Sequence, residues 1–324
     1  MLQKPFVVPD GFLVVDLFFV LSGFVIALSY EAKFADHLTL GQFFIIRFIR
    51  LYPLYILGTM LATLLLFSSL ILHGQMAGLN ARVVHAVPFA LAMLPNLDVS
   101  NPYAELYPLN PPAWSLLFEI LANLAYAATW RCWCNRNIVI DMALIAILLL
   151  SGSDFYSDGG WNRATVHLGI LGVLYTFASG VLIFRLTIVH QFEVPKFDSL
   201  VVLAVLPLLL LLPSAVVMPF CGPIGWPLLV LLATASEPSG GVSRLCAMLG
   251  GASYAFYAIR CPLIEVLNAA FARLGFVSGS SGLIGIAFIA ILVPACVFLD
   301  RVFDQPSRIF LSRMSVRRAR RLPI

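Results

Sequence analysis

Charge is what this 324-residue chain has least of: only 11% of its residues are Asp, Glu, Lys or Arg, against 61% hydrophobic. A water-soluble domain of this length carries roughly a quarter charged residues, so that class is excluded. Segments of alternating polar and apolar residues, the mark of a membrane β-barrel, are missing too, because the apolar runs are continuous. There is no Gly-rich phosphate loop, no internal repeat and no low-complexity linker. Six cysteines and five histidines form no set with zinc-ligand spacing, Cys132 and Cys134 standing close together without a second pair. No metal, no bound cofactor and no disulfide framework are expected.

What is present is a series of apolar runs long enough for a bilayer, separated by ordinary polar loops. The fold class is all-α, a polytopic transmembrane helical bundle forming one domain over residues 1–324. The spans are expected at 12–30, 53–72, 112–130, 165–184, 199–217, 246–270 and 282–303, with shorter ones at 138–151 and 223–236. That makes about nine spans, with 83–94 left as a re-entrant or short surface helix. Counting basic residues by side gives Lys33, Arg47, Arg50, Arg131, Arg136, Arg185, Lys196, Arg244 and the seven arginines from Arg301 to Arg321 on one face, and Lys4, Arg82, Arg163 and Arg273 on the other. The positive-inside rule then puts the C-terminus in the cytoplasm. The basic tail 301–324 is read as a topology determinant in contact with anionic lipid headgroups. No folded or aromatic nucleic-acid reader accompanies it, so nucleic acid is not expected as a partner.

Ionisable residues within such helices are costly and face the bundle interior or a wet cavity. Asp16 in "VVDLFFVLSGFVIALSY" is followed one heptad later by Gly23, which would let a neighbouring helix approach that face. In "NPPAWSLLFEILANLAY", Asn110 and Pro111 start a helix that carries Glu119 about 12 Å deep. Ser115, Glu119 and Asn123 then form a polar stripe at i, i+4 and i+8. Arg260 lies centrally in "GGASYAFYAIRCPLIE", with Tyr254 and Tyr257 on the preceding turns. An ion pair between Arg260 and Glu119 is expected from their matching depth, with Asp16 left to orient groups in a polar channel. Arg47 and Arg50, three residues apart just before a span beginning near Pro53, suit an anion on the cytoplasmic side.

Five of these segments, in order, resemble the membrane acyltransferase 3 family. "FLVVDLFFVLSGFVIALSY" is similar to the family's hallmark helix, "FFIIRFIRLYPLY" to its paired-arginine segment and "PAWSLLFEILANLAY" to its Trp-Ser-Leu-x-x-Glu helix. "GGASYAFYAIRCPL" and "FDQPSRIFL" resemble its late Ser-Tyr helix and its terminal Glu-x-Pro-like element. The resemblance implies an enzyme of the bacterial inner membrane that moves an acyl group, commonly acetyl, from acyl-CoA to a hydroxyl of a carbohydrate or glycoconjugate. It implies that Arg47 and Arg50 attract CoA phosphates, that Asp16 and Glu119 line the reaction channel, and that Trp114 and Ser115 support the Glu119 helix. The family's first helix, with its catalytic histidine, would precede Gly11. Only "MLQKPFVVPD" stands there, so the chain is expected to be N-terminally incomplete and short of its base, and one restored span would make ten. Arg260 occupies a position where the family usually has histidine, and a guanidinium cannot serve as a base near neutral pH. His37, His73, His85, His167 and His190 fall in loops or at helix ends, with no reason to promote one of them. The rival reading is a catalytically inactive or transporter-like protein on the same scaffold, and the discontinuous inverted repeats that would favour transport are not seen.

Overall fold

The computed structural model of the protein describes residues 13–73, 84–97, 105–151, 159–211, 220–273 and 281–319. Among them every regular element is helical. In chain order these are α1 (Leu13–Ala35), α2 (Leu40–His73), the short α3 (Val87–Leu91), α4 (Ala113–Thr129), α5 (Asn135–Ser151), α6 (Val166–Phe184), α7 (Ser199–Leu211), α8 (Trp226–Thr234), α9 (Gly240–Arg273), α10 (Ser281–Leu299) and α11 (Gln305–Ala319). Single π-helical turns extend α6 over Arg185–Val189, precede α8 over Cys221–Gly225 and join α10 to α11 over Asp300–Asp304.

Each expected span falls on a helix or on its described part. Among the described residues three helices are long and apolar enough to cross a membrane, over Val14–Ala35, Leu40–Ser68 and Val166–Val189, and Ala113–Thr129, Ser199–Leu211 and Cys221–Thr234 are shorter apolar helices. The count of nine spans therefore stays an expectation. Parts of the predicted 12–30 and 199–217 spans, and the chain end 320–324, lie outside the described residues.

One boundary differs in kind. The span expected to begin near Pro53 instead belongs to a single 34-residue helix that runs through it. Proline removes one backbone donor from a helix interior, and apolar helices tolerate this where neighbours satisfy the freed groups. The carbonyl that loses its helical donor is that of Ile49, four residues before the proline, and close by the Tyr254 hydroxyl of α9 donates to the carbonyl of Leu51. Consequently Arg47 lies seven residues inside α2, about 10 Å from its start at 1.5 Å per residue, and not on a separate surface helix.

The most extensive helix pairing joins α1 and α6. Glycines make it possible, since a Cβ on Gly180 would stand 2.0 Å from the Val20 carbonyl oxygen and one on Gly23 would stand 2.1 Å from that of Phe177. The expectation that Gly23 admits a neighbouring helix is met by α6. Around this seam Phe19, Ile26, Phe118, Tyr126, Phe177 and Val181 form the largest buried cluster, which takes in α4. Gly58 does the same service between α2 and α9, where a Cβ would meet the Ala258 carbonyl oxygen at 2.2 Å.

Two tied ends hold α4 in place. At its N-terminus, Asn110 Nδ2 donates to the Ala258 carbonyl at 3.3 Å. Nearby the backbone N–H of Leu106 donates to Trp161 O at 2.9 Å, which links the loop before α4 to the loop before α6. Gly160 in that second loop has φ +109° and lies under the Trp114 ring, where a Cβ would come within 2.7 Å of Cζ3. At the other end of α4, Tyr126 donates to Glu31 Oε2 at 3.1 Å, while Arg185 Nη2 donates to Glu31 Oε1 at 2.8 Å. This Glu31–Arg185–Tyr126 tie fastens the basic ends of α1, α6 and α4 together.

Candidate functional site

Among the described residues one ion pair is deeply buried in the bundle, and it is not the expected one. Arg47 of α2 donates through Nη2 to Glu119 Oε1 of α4, and both residues are buried. The expected partner, Arg260, places its guanidinium 4.9 Å over the ring of Tyr257. The difference follows from helix register. Tyr257 OH lies 2.5 Å from Ser115 Oγ and Ala258 receives the Asn110 amide, so Arg260 sits near the N-terminal end of α4, more than a turn from Glu119. Depth estimated from the predicted span 246–270 missed this because the span alone does not say how α9 is set against α4, which the contacts of Tyr257 and Ala258 fix.

The polar stripe on α4 is real and faces inward. Ser115, Glu119 and Asn123 are each at most 3% exposed. Ser115 Oγ donates to the Pro112 carbonyl at 3.1 Å, and the Tyr257 hydroxyl lies 2.9 Å from the same oxygen. Asn123 is within reach of the Glu119 carboxylate, yet neither of its amide atoms completes a hydrogen bond, and Glu119 Oε2 and Arg47 Nε are likewise unpaired. Trp114 packs edge-on against Phe118, with ring centroids 5.4 Å apart. It therefore braces the first turns of the stripe.

The two arginines of "RFIR" have different surroundings. Arg47 is buried against Glu119, whereas Arg50 is exposed and makes no ion pair among the described residues. Glu119 and Asp304 both lie close enough to feel its charge. Arg50 is therefore a cation beside a buried pair, open to an outside anion. Sequence spacing put both arginines on one face of a helix. Three residues are 300° around an α-helix, and the remaining 60° decides which one reaches α4.

Asp16 stands apart from this cluster. It is half-buried in the first turn of α1, makes no ion pair among the described residues, and has Cys221 near enough to sense its charge. The structure does not bring Asp16 together with Glu119 and Arg47 into one constellation.

Two further sets of residues were given no site role in the sequence reading, although the second includes part of the FDQPSRIFL segment. Arg185 was counted only towards orientation, yet it is buried and paired with Glu31. At the turn between α10 and α11, Arg308 contacts Asp304 and lies 3.3 Å from Asp300 Oδ1, while Gln305 Nε2 donates to Asp300 Oδ2 at 2.7 Å. The i, i+4, i+8 spacing of Asp300, Asp304 and Arg308 was a usable signal for the second set. No comparable local signal marks the first.

Known proteins provide a comparison. The model of the acyltransferase domain of the acyltransferase 3 family matches residues 3–300. Protein 2 in the picA locus of Rhizobium radiobacter is 34% identical over 150 residues, covering 44% of this chain and 78% of that protein. No solved structure matches the chain.

Proposed function

Since the chain belongs to the acyltransferase 3 family, we propose that it transfers an acyl group, acetyl in the simplest case, from acyl-CoA to a hydroxyl of a carbohydrate or glycoconjugate at the bacterial inner membrane. Family membership supports membrane acyl transfer in general. The observation that supports the CoA donor is the exposed Arg50 beside the buried Arg47–Glu119 pair. An exposed arginine fork that makes no ion pair among the described residues suits a phosphate, and the donor carries several.

In this reading Arg50 meets donor phosphate, while Arg47 holds Glu119 in a fixed orientation in the interior. The acceptor oxygen attacks the thioester carbonyl. A C–O bond forms, the C–S bond breaks, and the hydroxyl proton ends on the CoA sulfur as free thiol. Asp16, a carboxylate that makes no ion pair among the described residues, is the candidate to orient the acceptor hydroxyl. Holding both substrates at one point in the bundle is itself worth several kcal/mol of barrier.

Deleting the gene from cells that carry it tests the activity. Alkali-labile acetyl esters on the cell-envelope carbohydrate are expected to disappear and to return with the intact gene. Unchanged esterification, together with altered export of an unmodified glycoconjugate, would overturn the transferase reading in favour of the transport one.

A further inference from the structure

Four polar atoms on the seam between α2 and α4 have no hydrogen-bond partner among the described residues: Arg47 Nε, Glu119 Oε2, and Nδ2 and Oδ1 of Asn123. They are not scattered. Asn123 is one turn from Glu119 on the same face of α4, and Arg47 is bonded to that carboxylate. All three residues are at most 7% exposed. Each buried polar group left unsatisfied is destabilising, charged ones most of all, so a dry seam would carry several such penalties within a few ångströms. The set offers two donors and two acceptors. A small molecule that both gives and accepts hydrogen bonds fits it, and internal water typically makes about three such bonds.

The same face of α4 continues to Tyr126, three residues beyond Asn123, a separation of about 5–6 Å between Cβ atoms. Tyr126 is fully buried, but its hydroxyl donates to Glu31, and the Glu31 side chain is 22% exposed at the basic end of the bundle. In the opposite direction the stripe closes on itself, with Ser115 and Tyr257 both directed to the Pro112 carbonyl. The polar path thus reaches the surface towards Glu31, in addition to the side of the pair on which Arg50 is exposed.

We propose that Asn123, with the free atoms of Glu119 and Arg47, binds internal water, and that this water reaches the surface past Tyr126 and Glu31. It gives the buried pair contact with solvent protons from the Glu31 end. The inference does not depend on acyl transfer, since it rests on the packing of α1, α2 and α4.

X-ray hydroxyl-radical footprinting of the full chain in lipid nanodiscs reads this directly, because radicals made from bound water label the side chains beside it. Tyr55 and Tyr107 are internal controls. They are as buried as Tyr126, but their hydroxyls end on the backbone carbonyls of Ala90 and Met93, at 2.5 and 3.0 Å. Tyr126 is expected to be labelled at least about threefold faster than either control, as buried water is a local radical source. Asn123→Leu should bring Tyr126 down to the controls, and Asn123→Ser, which keeps a polar group and leaves room, should retain the labelling. Should Asn123→Leu fail to fold, the wild-type comparison still decides. Labelling of Tyr126 no faster than Tyr55 and Tyr107, or labelling unaltered by a folded Asn123→Leu, would overturn the water site whatever the enzyme's activity proves to be.

Discussion

Replacing Arg47 alone with methionine is expected to lower stability by about 3–5 kcal/mol, because it leaves the Glu119 carboxylate buried without its counter-charge. The side chains of Arg47 and Glu119 are only 8% and 4% exposed, so the carboxylate keeps most of its desolvation cost once the cation is gone. Adding Glu119→Gln to Arg47→Met should recover most of the loss, since the pair as a whole repays little more than its own desolvation. Arg260→Leu should behave differently. It removes a cation–π contact over Tyr257, worth about 0.5–2 kcal/mol, and Glu119→Gln should give no rescue. A thermal-denaturation double-mutant cycle in detergent checks both. Rescue of Arg260→Leu by Glu119→Gln would restore the pairing first expected from the sequence and remove the one described above.

The second large effect concerns the seam between α1 and α6. Gly180→Ala places a methyl 2.0 Å from the Val20 carbonyl oxygen, a backbone atom that no rotamer change can move. The helices must separate along their whole contact, including the part that holds Glu31 to Arg185. A loss of about 3 kcal/mol or more is expected, the upper range of overpacking, and Gly23→Ala should act alike. Gly172→Ala in the same helix is the control. Nothing stands within 4 Å of its Cβ position, and alanine favours a helix over glycine by up to about 1 kcal/mol. Equal melting temperatures for the Gly180 and Gly172 variants would show that the close approach has been misplaced.

The stripe of Ser115, Glu119 and Asn123 was legible from the chain because helical period and apolar surroundings are local properties. So was the small residue Gly23 on the face of Asp16. Which cation meets Glu119 was not legible. Arg47 is 72 positions from Glu119, and the choice between Arg47 and Arg260 depends on how deeply each helix is set. Reading Pro53 as a helix start moved Arg47 to the surface. A tyrosine from α9, 203 residues away, bonds to Leu51 beside that proline, and nothing near Pro53 announces it. The Glu31–Arg185 pair, 154 positions apart, was hidden for the same reason. Both residues sit near helix ends, where charge looks ordinary.

The division of labour between Arg47 and Arg50 is the centre of the functional account. It is tested most directly by titrating acetyl-CoA into the full chain, purified in nanodiscs, beside the Arg50→Gln and the Arg47→Gln/Glu119→Gln variants. Arg50→Gln should melt like the wild type and bind acetyl-CoA about tenfold to hundredfold more weakly, the equivalent of the 1.5–3 kcal/mol of a charged hydrogen bond. The double variant, its buried pair replaced as a unit, should bind nearly as the wild type does. Unchanged affinity in Arg50→Gln, or loss of binding only in a folded Arg47→Gln/Glu119→Gln, would contradict the assignment of Arg50 to the donor.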